Sequence, residues 1–429
     1  MSGVSTMTVT DEPVVAVAER FWNRTRITGA GLVAAGAVAA AAFGALADSQ
    51  EARFTLSETA GGAALRIPGN VGAVLFGLIA VVAGAALLSP YGARWYKSLL
   101  AVGVVGFVVS FLCWQISTAP TGQNFMPMVN MVRGTFLLAL PLIFGSLAGV
   151  LCERSGVVNV AIEGQLLMGA FAGALIGTMA GSVWAGLIAA ALGGAFISLL
   201  LALFAIRYLV DQVVIGIVLN LFAVGLTGFL YERLMQTNQA GYNQPPHFGT
   251  WEIPLLSQIP VIGPALFRGN IFLYLALILV VVINVALFRT RWGLRTRSVG
   301  EHPIAADTLG VRVLGLRYRN VLLAGMVAGV GGGSYTLLLY SFTKNMIGGK
   351  GFIALAALIF GRWSPTGALL ASLFFGFADQ LGAYLGAISS AIPSQFLAML
   401  PYLATILAVA GLVGRVRAPA ADGKPYIKA

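Results

Sequence analysis

Residues 155–170 read SGVVNVAIEGQLLMGA and interrupt a stretch that is otherwise apolar from 136 to 179. Asn159, Glu163 and Gln165 are polar side chains inside this stretch. A carboxylate at membrane depth costs at least about 2.5 kcal/mol if it faces lipid, so Glu163 should face protein, backbone donors or a water-filled path. The stretch therefore predicts a broken segment inside a bundle of membrane helices. Glu163 is a structural cap there, part of a path, or both.

The composition of the whole chain also indicates a membrane protein. Of 429 residues, 58% are hydrophobic and 10% are charged, whereas a soluble domain carries roughly 25% charged residues. A secreted disulfide scaffold, a disordered tail protein and a soluble enzyme are thereby excluded. The 26 basic and 15 acidic residues are typical of a protein with basic cytoplasmic loops, and do not indicate nucleic-acid binding. Cys113 and Cys152 lack a CxxC or histidine partner and predict neither a disulfide nor a metal site.

The apolar runs predict an all-α integral membrane protein of about 10–12 transmembrane helices. The runs lie at 27–47, 70–89, 98–118, 131–151, 160–180, 183–205, 213–231, 271–288, 321–341, 351–361, 366–386 and 396–413. The distribution of Lys and Arg between the loops predicts that both termini are cytoplasmic. Ala45-Leu46-Ala47 resembles a signal-peptidase site, but the apolar run before it is longer than a usual signal segment. A retained first helix is therefore favoured.

A second interruption lies at 348–370, which read GGKGFIALAALIFGRWSPTGALL. The apolar piece from Phe352 to Phe360 is too short to cross a bilayer of about 30 Å at about 1.5 Å per residue, and predicts a half-helix. Interrupted segments in both halves of a chain indicate a midplane path between two inverted repeats. Asn220 and Asp379 are further polar residues at membrane depth, and either pair across helices or line the path.

The largest predicted cytoplasmic loop, 289–320, carries seven arginines. Within it, Pro303 as a helix start and Gly310 as a stop predict one or two turns of helix outside the membrane. Such a helix suits a partner that pushes on the membrane subunit. The alternative is a solvated loop whose arginines fix the topology.

Several strings resemble the membrane subunits of ABC importers of the ribose and branched-chain amino acid permease type. VLCERSGVVNVAIEGQLLMGAFAGA at 150–174 is similar to their ERxGVVNxxxEGxxLxGA signature, especially that of the nucleoside or simple-sugar subgroup. WGLRTRSVGEHPIAADTLGVRV at 292–313 resembles their coupling segment, GLRxRAVGENPxAAxxxGI. Residues 348–376 resemble the GxGFIALAALIFGxWxPxGA element, and 392–409 the closing span. The similarity covers about 130 to 413.

The resemblance implies a division of the chain and a set of functional residues. Residues 1–130 would be an N-terminal extension with about three transmembrane helices, 131–413 the permease core and 414–429 a cytoplasmic tail. With the polar residues above, the predicted translocation path is Asn159, Glu163, Gln165, Asn220, Phe352 and Asp379. The predicted ATPase-coupling residues are Gly300, Glu301, Pro303, Ala305, Ala306, Asp307 and Gly310. Ala161 stands where the subgroup usually has Gly, and His302 where Asn is common.

The expected partners also follow from the resemblance. They are a second homologous permease, cytosolic ATP-binding subunits and an extracytoplasmic lipoprotein of the basic-membrane-protein type, in a bacterial plasma membrane. The chain contains no GxxxxGK[ST] loop. We therefore expect that it is not an enzyme, that it binds no cofactor, and that the partner subunit binds ATP. The expected cargo is a nucleoside.

Other functions remain open at this stage. Ribose-like sugars and branched-chain amino acids are alternative cargoes. A proton-coupled secondary transporter, with Glu163 and Asp379 as its relay, is the alternative from a different class. An intramembrane enzyme lacks a catalytic constellation, because the two histidines, His247 and His302, fall on opposite sides of the predicted membrane.

Overall fold

The computed structural model describes residues 23–56, 63–120, 122–260, 263–338, 341–388 and 417–428, together with Phe396, Met399 and Tyr402. Within this part of the chain, 10 helices are long and apolar enough to cross a membrane. Strands are few and short. The predicted all-α integral membrane class is therefore confirmed. Most of the predicted closing span at 396–413 lies outside the described residues.

The chain divides into two compact units, of which the first comprises residues up to Arg53 and Arg66–Asn124. Its helices are α1 (Arg24–Leu46), α2 (Gly69–Leu88) and α3 (Tyr96–Ser117), and the strands β1 (Glu51–Thr55) and β2 (Ala64–Pro68) lie between α1 and α2 in the chain. Within this unit, α2 packs against both α1 and α3. The hydroxyl of Ser110 donates to the carbonyl of Ala73 at 2.6 Å, which satisfies a buried polar group between α3 and α2.

The second unit holds the remaining elements. They are β3 (Phe125–Pro127), α4 (Met128–Glu153), α5 (Ile162–Ala180), α6 (Val183–Arg207), α7 (Gln212–Met235), α8 (Gln239–Tyr242), β4 (Trp251–Glu252), β5 (Arg268–Gly269), α9 (Ile271–Arg289), α10 (Arg291–Glu301), α11 (Pro303–Thr308), α12 (Val313–Leu338), α13 (Lys350–Phe360) and α14 (Pro365–Ala387). β4 and β5 pair antiparallel, with Trp251 opposite Gly269.

The core of this unit forms where α12 packs against α4, α5 and α6. These helices approach closely because small residues line their contacts. A Cβ on Gly332 of α12 would lie only 1.8 Å from the carbonyl oxygen of Leu166 in α5. The hydroxyl of Thr336 on α12 is paired across helices, since it donates to the carbonyl of Ala170 on α5 at 3.1 Å. A glycine-rich sequence thus gives a tight helix bundle.

The predicted half-helix is present as α13. It has 11 residues, which gives a length of about 16 Å, roughly half the hydrocarbon thickness. The inverted-repeat relation between the two halves stays a prediction.

The basic loop predicted at 289–320 is mostly helical, which corrects that prediction. α10 occupies Arg291–Glu301, begins where the hydroxyl of Thr290 accepts from the amide of Gly293, and buries Thr296, Val299 and Gly300. These buried positions lie at helical spacing, but only Val299 is strongly apolar. The apolar periodicity is therefore too weak to predict a helix among the arginines of this loop.

Candidate functional site

The connection between α4 and α5, residues 154–161, runs along α13. Beyond the C-terminus of α13, the indole nitrogen of Trp363 donates to Glu153 at 2.5 Å. In the first turn of α13, the amide of Gly351 donates to Glu163 at 2.6 Å. Because α13 is about 16 Å long, the chain between the two glutamates covers a comparable depth without forming a regular helix. The break predicted from this sequence is therefore present.

Side chains of α7 satisfy the irregular backbone of this connection. The amide of Val158 donates to the side-chain oxygen of Gln212 at 2.7 Å. The side-chain nitrogen of Asn220 donates to the carbonyl of Val160 at 2.9 Å, and its oxygen accepts from the amide of Gly164 at 2.8 Å. Non-helical backbone at membrane depth is tolerated only where such partners replace water. Asn220 therefore uses both ends of its amide on the connection and the start of α5.

Glu163 holds the N-terminus of α13. Its Oε1 accepts from the amide of Gly349 at 2.8 Å and its Oε2 from the amide of Gly351 at 2.6 Å. The side chain fits because the first turn of a helix has unpaired amides and a positive partial charge. The approach requires glycine at 351, where a Cβ would lie 2.5 Å from the Cα of Glu163. In this conformation Glu163 is a structural carboxylate, one of the two roles expected from the sequence.

Asn159 and Gln165 form a buried amide pair. The nitrogen of each amide donates to the oxygen of the other, at 3.1 Å and 3.0 Å. The amide of Gln165 also donates to the hydroxyl of Ser198 at 2.8 Å. Asn159, Gln165 and Ser198 are all fully buried. In this conformation the pair braces α5 against α6 and exposes no polar surface.

Asp379 and Phe352 both lie near the N-terminus of α13. The carboxylate of Asp379, on α14, forms an ion pair with the ammonium of Lys350, the first residue of α13. Phe352 is 49% exposed. Among the predicted path residues, Phe352 offers the largest accessible surface, while Asp379 has a partner on the neighbouring helix.

The predicted coupling segment is two helices with a bend. His302 has φ −146° and ψ 84°, because the residue before a proline avoids the helical region. Its Nδ1 accepts from the amide of Ala305 at 3.2 Å and caps α11. Histidine thus performs the capping role for which asparagine is suited. α11 begins at Pro303 and ends shortly before Gly310, as predicted, but α10 and the bend replace the single helix implied for Gly300–Gly310.

One face of α11 is packed and the other is open. Ala306 is buried against Val299 and Val313. Ile304 is 63% exposed and Leu309, just beyond the helix, is 84% exposed. Exposed apolar side chains on a short helix outside the bundle are suited to contact another protein.

The structure brings most of the predicted path residues together around the first turns of α5 and α13. It also adds residues outside the predicted set: Glu153, Ser198, Gln212, Lys350 and Trp363. Lys350 had a usable signal, since it directly precedes an apolar run too short to span the membrane. Glu153 and Trp363 lie in the ERxGVVN and GxWxP strings quoted above, although those strings did not reveal that the two residues pair. Ser198 and Gln212 had no signal, because their partners are far away in the chain. Among the described residues, no group of three His, Cys, Asp or Glu side chains is arranged to hold a metal ion.

Comparisons with known proteins show which proteins the chain is similar to. The family model described as "Branched-chain amino acid transport system / permease component" matches residues 131–413. The chain is 44% identical over 308 residues to the guanosine ABC transporter permease protein NupQ of Bacillus subtilis, covering 69% of this chain and 96% of that protein. It is 43% identical over 307 residues to the nucleoside ABC transporter permease protein NupC of Lactococcus lactis, with the same coverage of 69% and 96%.

A further relative is more distant. The chain is 32% identical over 255 residues to the putative glucose ABC transporter permease protein TsgC13 of Haloferax volcanii, covering 59% of this chain and 76% of that protein. No solved structure matches the chain.

A bundle of membrane helices with a half-helix inside it and a short exposed helix outside it defines a multi-pass membrane protein, and broken helices of this kind are typical of transporters. The chain belongs to the family of ABC transporter permeases described as branched-chain amino acid transport system permease components. The resemblance noted from the sequence is confirmed.

Proposed function

We propose that this chain is the permease subunit of an ATP-driven importer of nucleosides in a bacterial plasma membrane. The nucleoside assignment is supported by the two relatives named for guanosine and nucleoside transport, each covered over 96% of its length. Import would require a substrate-binding lipoprotein outside, a second permease beside this chain and ATP-binding subunits in the cytosol. This chain would neither bind ATP nor catalyse a reaction.

The exposed face of α11 would receive the ATP-binding subunit. Ile304 and Leu309 supply apolar contacts, and the bend at His302 sets the direction of α11. The C-terminal residues lie at the same end of the bundle, since the amide of Ala421 donates to the carbonyl of Gly300 at 2.9 Å. This shared end supports placing α11 and the C-terminus on the same, cytoplasmic side.

The region around the start of α13 would form part of the path. The ring of Phe352 is accessible and offers a surface on which a nucleobase can stack. Glu163 would contribute by fixing the position of α13. ATP-driven movement of the partner would open this region alternately to the two sides of the membrane.

The test is transport by the assembled complex. Purified complex in proteoliposomes should take up guanosine only with ATP on the side of the ATP-binding subunit and with loaded binding protein on the other side. Competition with ribose and with leucine distinguishes the alternative cargoes. Uptake by the isolated chain under a proton gradient, without ATP, would overturn the proposal in favour of a secondary transporter.

A matched pair of variants tests the docking face. Leu309→Asp places a charge on a side chain that is 84% exposed, and Leu255→Asp does so at 83% exposure outside the docking face. We expect Leu309→Asp to lose the ATP-binding subunit during purification and Leu255→Asp to retain it. Retention by both variants would contradict docking at α11.

A further inference from the structure

The C-terminal segment 417–428 lies against α10, where its backbone is held at two points. The amide of Ala421 donates to the carbonyl of Gly300 at 2.9 Å. The amide of Ala420 donates to the carboxylate of Glu301 at 3.2 Å. The segment is therefore attached to the helix that precedes α11.

Tyr426 anchors the same segment beneath α11. Its side chain is 7% exposed and packs with Val299, Ala306 and Val313, so it fills the space between α10, α11 and the start of α12. Asp307 of α11 lies beside its hydroxyl. A largely apolar ring with one polar contact gives the segment a defined position on α11.

The segment also contacts the connection between α4 and α5. The carbonyl oxygen of Ala421 lies 3.1 Å from the position that a Cβ on Gly156 would occupy. A side-chain carbon of Val158 lies 3.4 Å from the position that a Cβ on Gly423 would occupy. These contacts join residues 421–423 to the irregular chain that leads to Glu163.

Charged side chains of the bundle hold the middle of the segment. Arg317 of α12 is 2% exposed and donates from Nη1 to the carbonyl of Lys424 at 3.1 Å. The carboxyl of Asp422 lies beside the carboxyl of Glu153 at the end of α4. Two neighbouring carboxylates repel each other, which favours the form in which one of them carries a proton. Neither Arg317 nor Asp422 is among the predicted coupling or path residues.

We propose that residues 417–428 form a C-terminal strap that ties α11 to the connection 154–161 and transmits the movement of α11 to Glu163 and α13. α10 also touches the connection directly, because Gly300 lies against the carbonyl of Arg154. The strap adds further contacts on both sides of that point, so α10, α11 and the connection move together. The transmission step rests on the proposed function, whereas the attachment of the strap does not.

The experiment compares the wild-type complex with Tyr426→Ala and with a deletion of residues 418–429. Lys424→Ala is the matched control, since its side chain is exposed and only its carbonyl is used. Two quantities are measured on each complex. The first is hydrogen exchange of the backbone amides 300–313, and the second is the number of guanosine molecules taken up per ATP hydrolysed.

We expect Tyr426→Ala and the deletion to accelerate exchange at 300–313 and to lower uptake per ATP by roughly tenfold, within the range of coupling between sites. ATP hydrolysis should persist, because the exposed face of α11 remains, and Lys424→Ala should match the wild type. Unchanged exchange in Tyr426→Ala would overturn the attachment. Faster exchange with unchanged uptake per ATP would overturn the transmission.

The two proposals can fail separately. If the wild-type complex takes up no nucleoside, the proposed function is wrong, and the exchange measurement still decides whether the strap holds α11. If the deletion variant does not assemble, Tyr426→Ala provides the same comparison with the backbone contacts retained.

Discussion

Glu163 of α5 and Gly351 of α13 are joined by a hydrogen bond of 2.6 Å, although 188 residues separate them in the chain. Glu163 also accepts a second hydrogen bond, from the amide of Gly349. The carboxylate thereby caps the N-terminus of α13, whose amides would otherwise have no partner inside the bundle. The position of α13 therefore depends on a residue of α5.

Glu163→Ala should destabilise the protein and reduce transport together. It leaves two amides without their acceptor, and each unpaired buried donor costs about 1–3 kcal/mol. Glu163→Gln should have a smaller effect, because one side-chain oxygen remains while its NH₂ group faces an amide N–H. Thermal unfolding of the purified complex measures the effect. A Glu163→Gln variant with the wild-type unfolding temperature and no transport would favour a proton relay instead.

Gly351→Ala should displace α13. The added Cβ would lie 2.5 Å from backbone atoms of Glu163, which cannot rotate away as a side chain can. Overpacking of this kind costs about 1–3 kcal/mol. Gly225→Ala on α7 is the control, since a Cβ there meets nothing within 4 Å. Equal unfolding temperatures for the two variants would mean that the contact between α5 and α13 is looser than described.

The ion pair of Lys350 and Asp379 should behave as a structural pair. Its side chains are 23% and 17% exposed, so either Lys350→Met or Asp379→Asn should cost less than the about 3–5 kcal/mol for breaking a fully buried pair. The double variant Lys350→Met/Asp379→Leu should recover much of that loss, because no unpaired charge remains. Additive losses in unfolding temperature would contradict the pairing.

Attachment of the C-terminal strap should weaken as the pH rises. Burial, with Glu153 beside it, raises the pKa of Asp422, and Cys152 and Arg317 are the other ionisable groups that face it. The attached strap thus binds a proton that the released strap loses above the ordinary aspartate pKa of about 4. Attachment is fully favoured below the ordinary aspartate pKa. It declines as the pH rises from there through the raised pKa of Asp422 in the attached strap.

Asp422→Asn provides the comparison for this pH dependence. The protection of the backbone amides 300–313 from hydrogen exchange, after correction for the intrinsic chemical exchange rate at each pH, should fall as the pH rises in the wild type. In Asp422→Asn this dependence should be flatter, because asparagine does not titrate. The same slope in both proteins would show that Asp422 does not control attachment.

Local signals in the sequence predicted several elements correctly. Pro303 and Gly310 bracketed α11, and the short apolar run after Lys350 predicted the half-helix α13. Both elements depend on residues close together in the chain. The interruption at 155–170 likewise predicted the irregular connection, because its polar residues stood out against apolar neighbours.

The partners of those polar residues could not be predicted. Glu163 pairs with backbone amides, which every residue type except proline provides, so the sequence of α13 did not identify them as its partners. Gly351 is the one residue of α13 that the close approach requires, and a glycine alone does not name the partner. For residues 414–429 the sequence predicts only a cytoplasmic tail, because Tyr426 is a single aromatic in a short segment without periodicity. α10 was missed because its buried face includes Thr296 and Gly300.

Uptake of guanosine by the reconstituted complex tests the central claim most directly. The account predicts uptake that requires ATP, the ATP-binding subunit and loaded binding protein, and that falls with Leu309→Asp but not with Leu255→Asp. Nucleoside uptake by the isolated chain, driven by a proton gradient and indifferent to ATP, would contradict it.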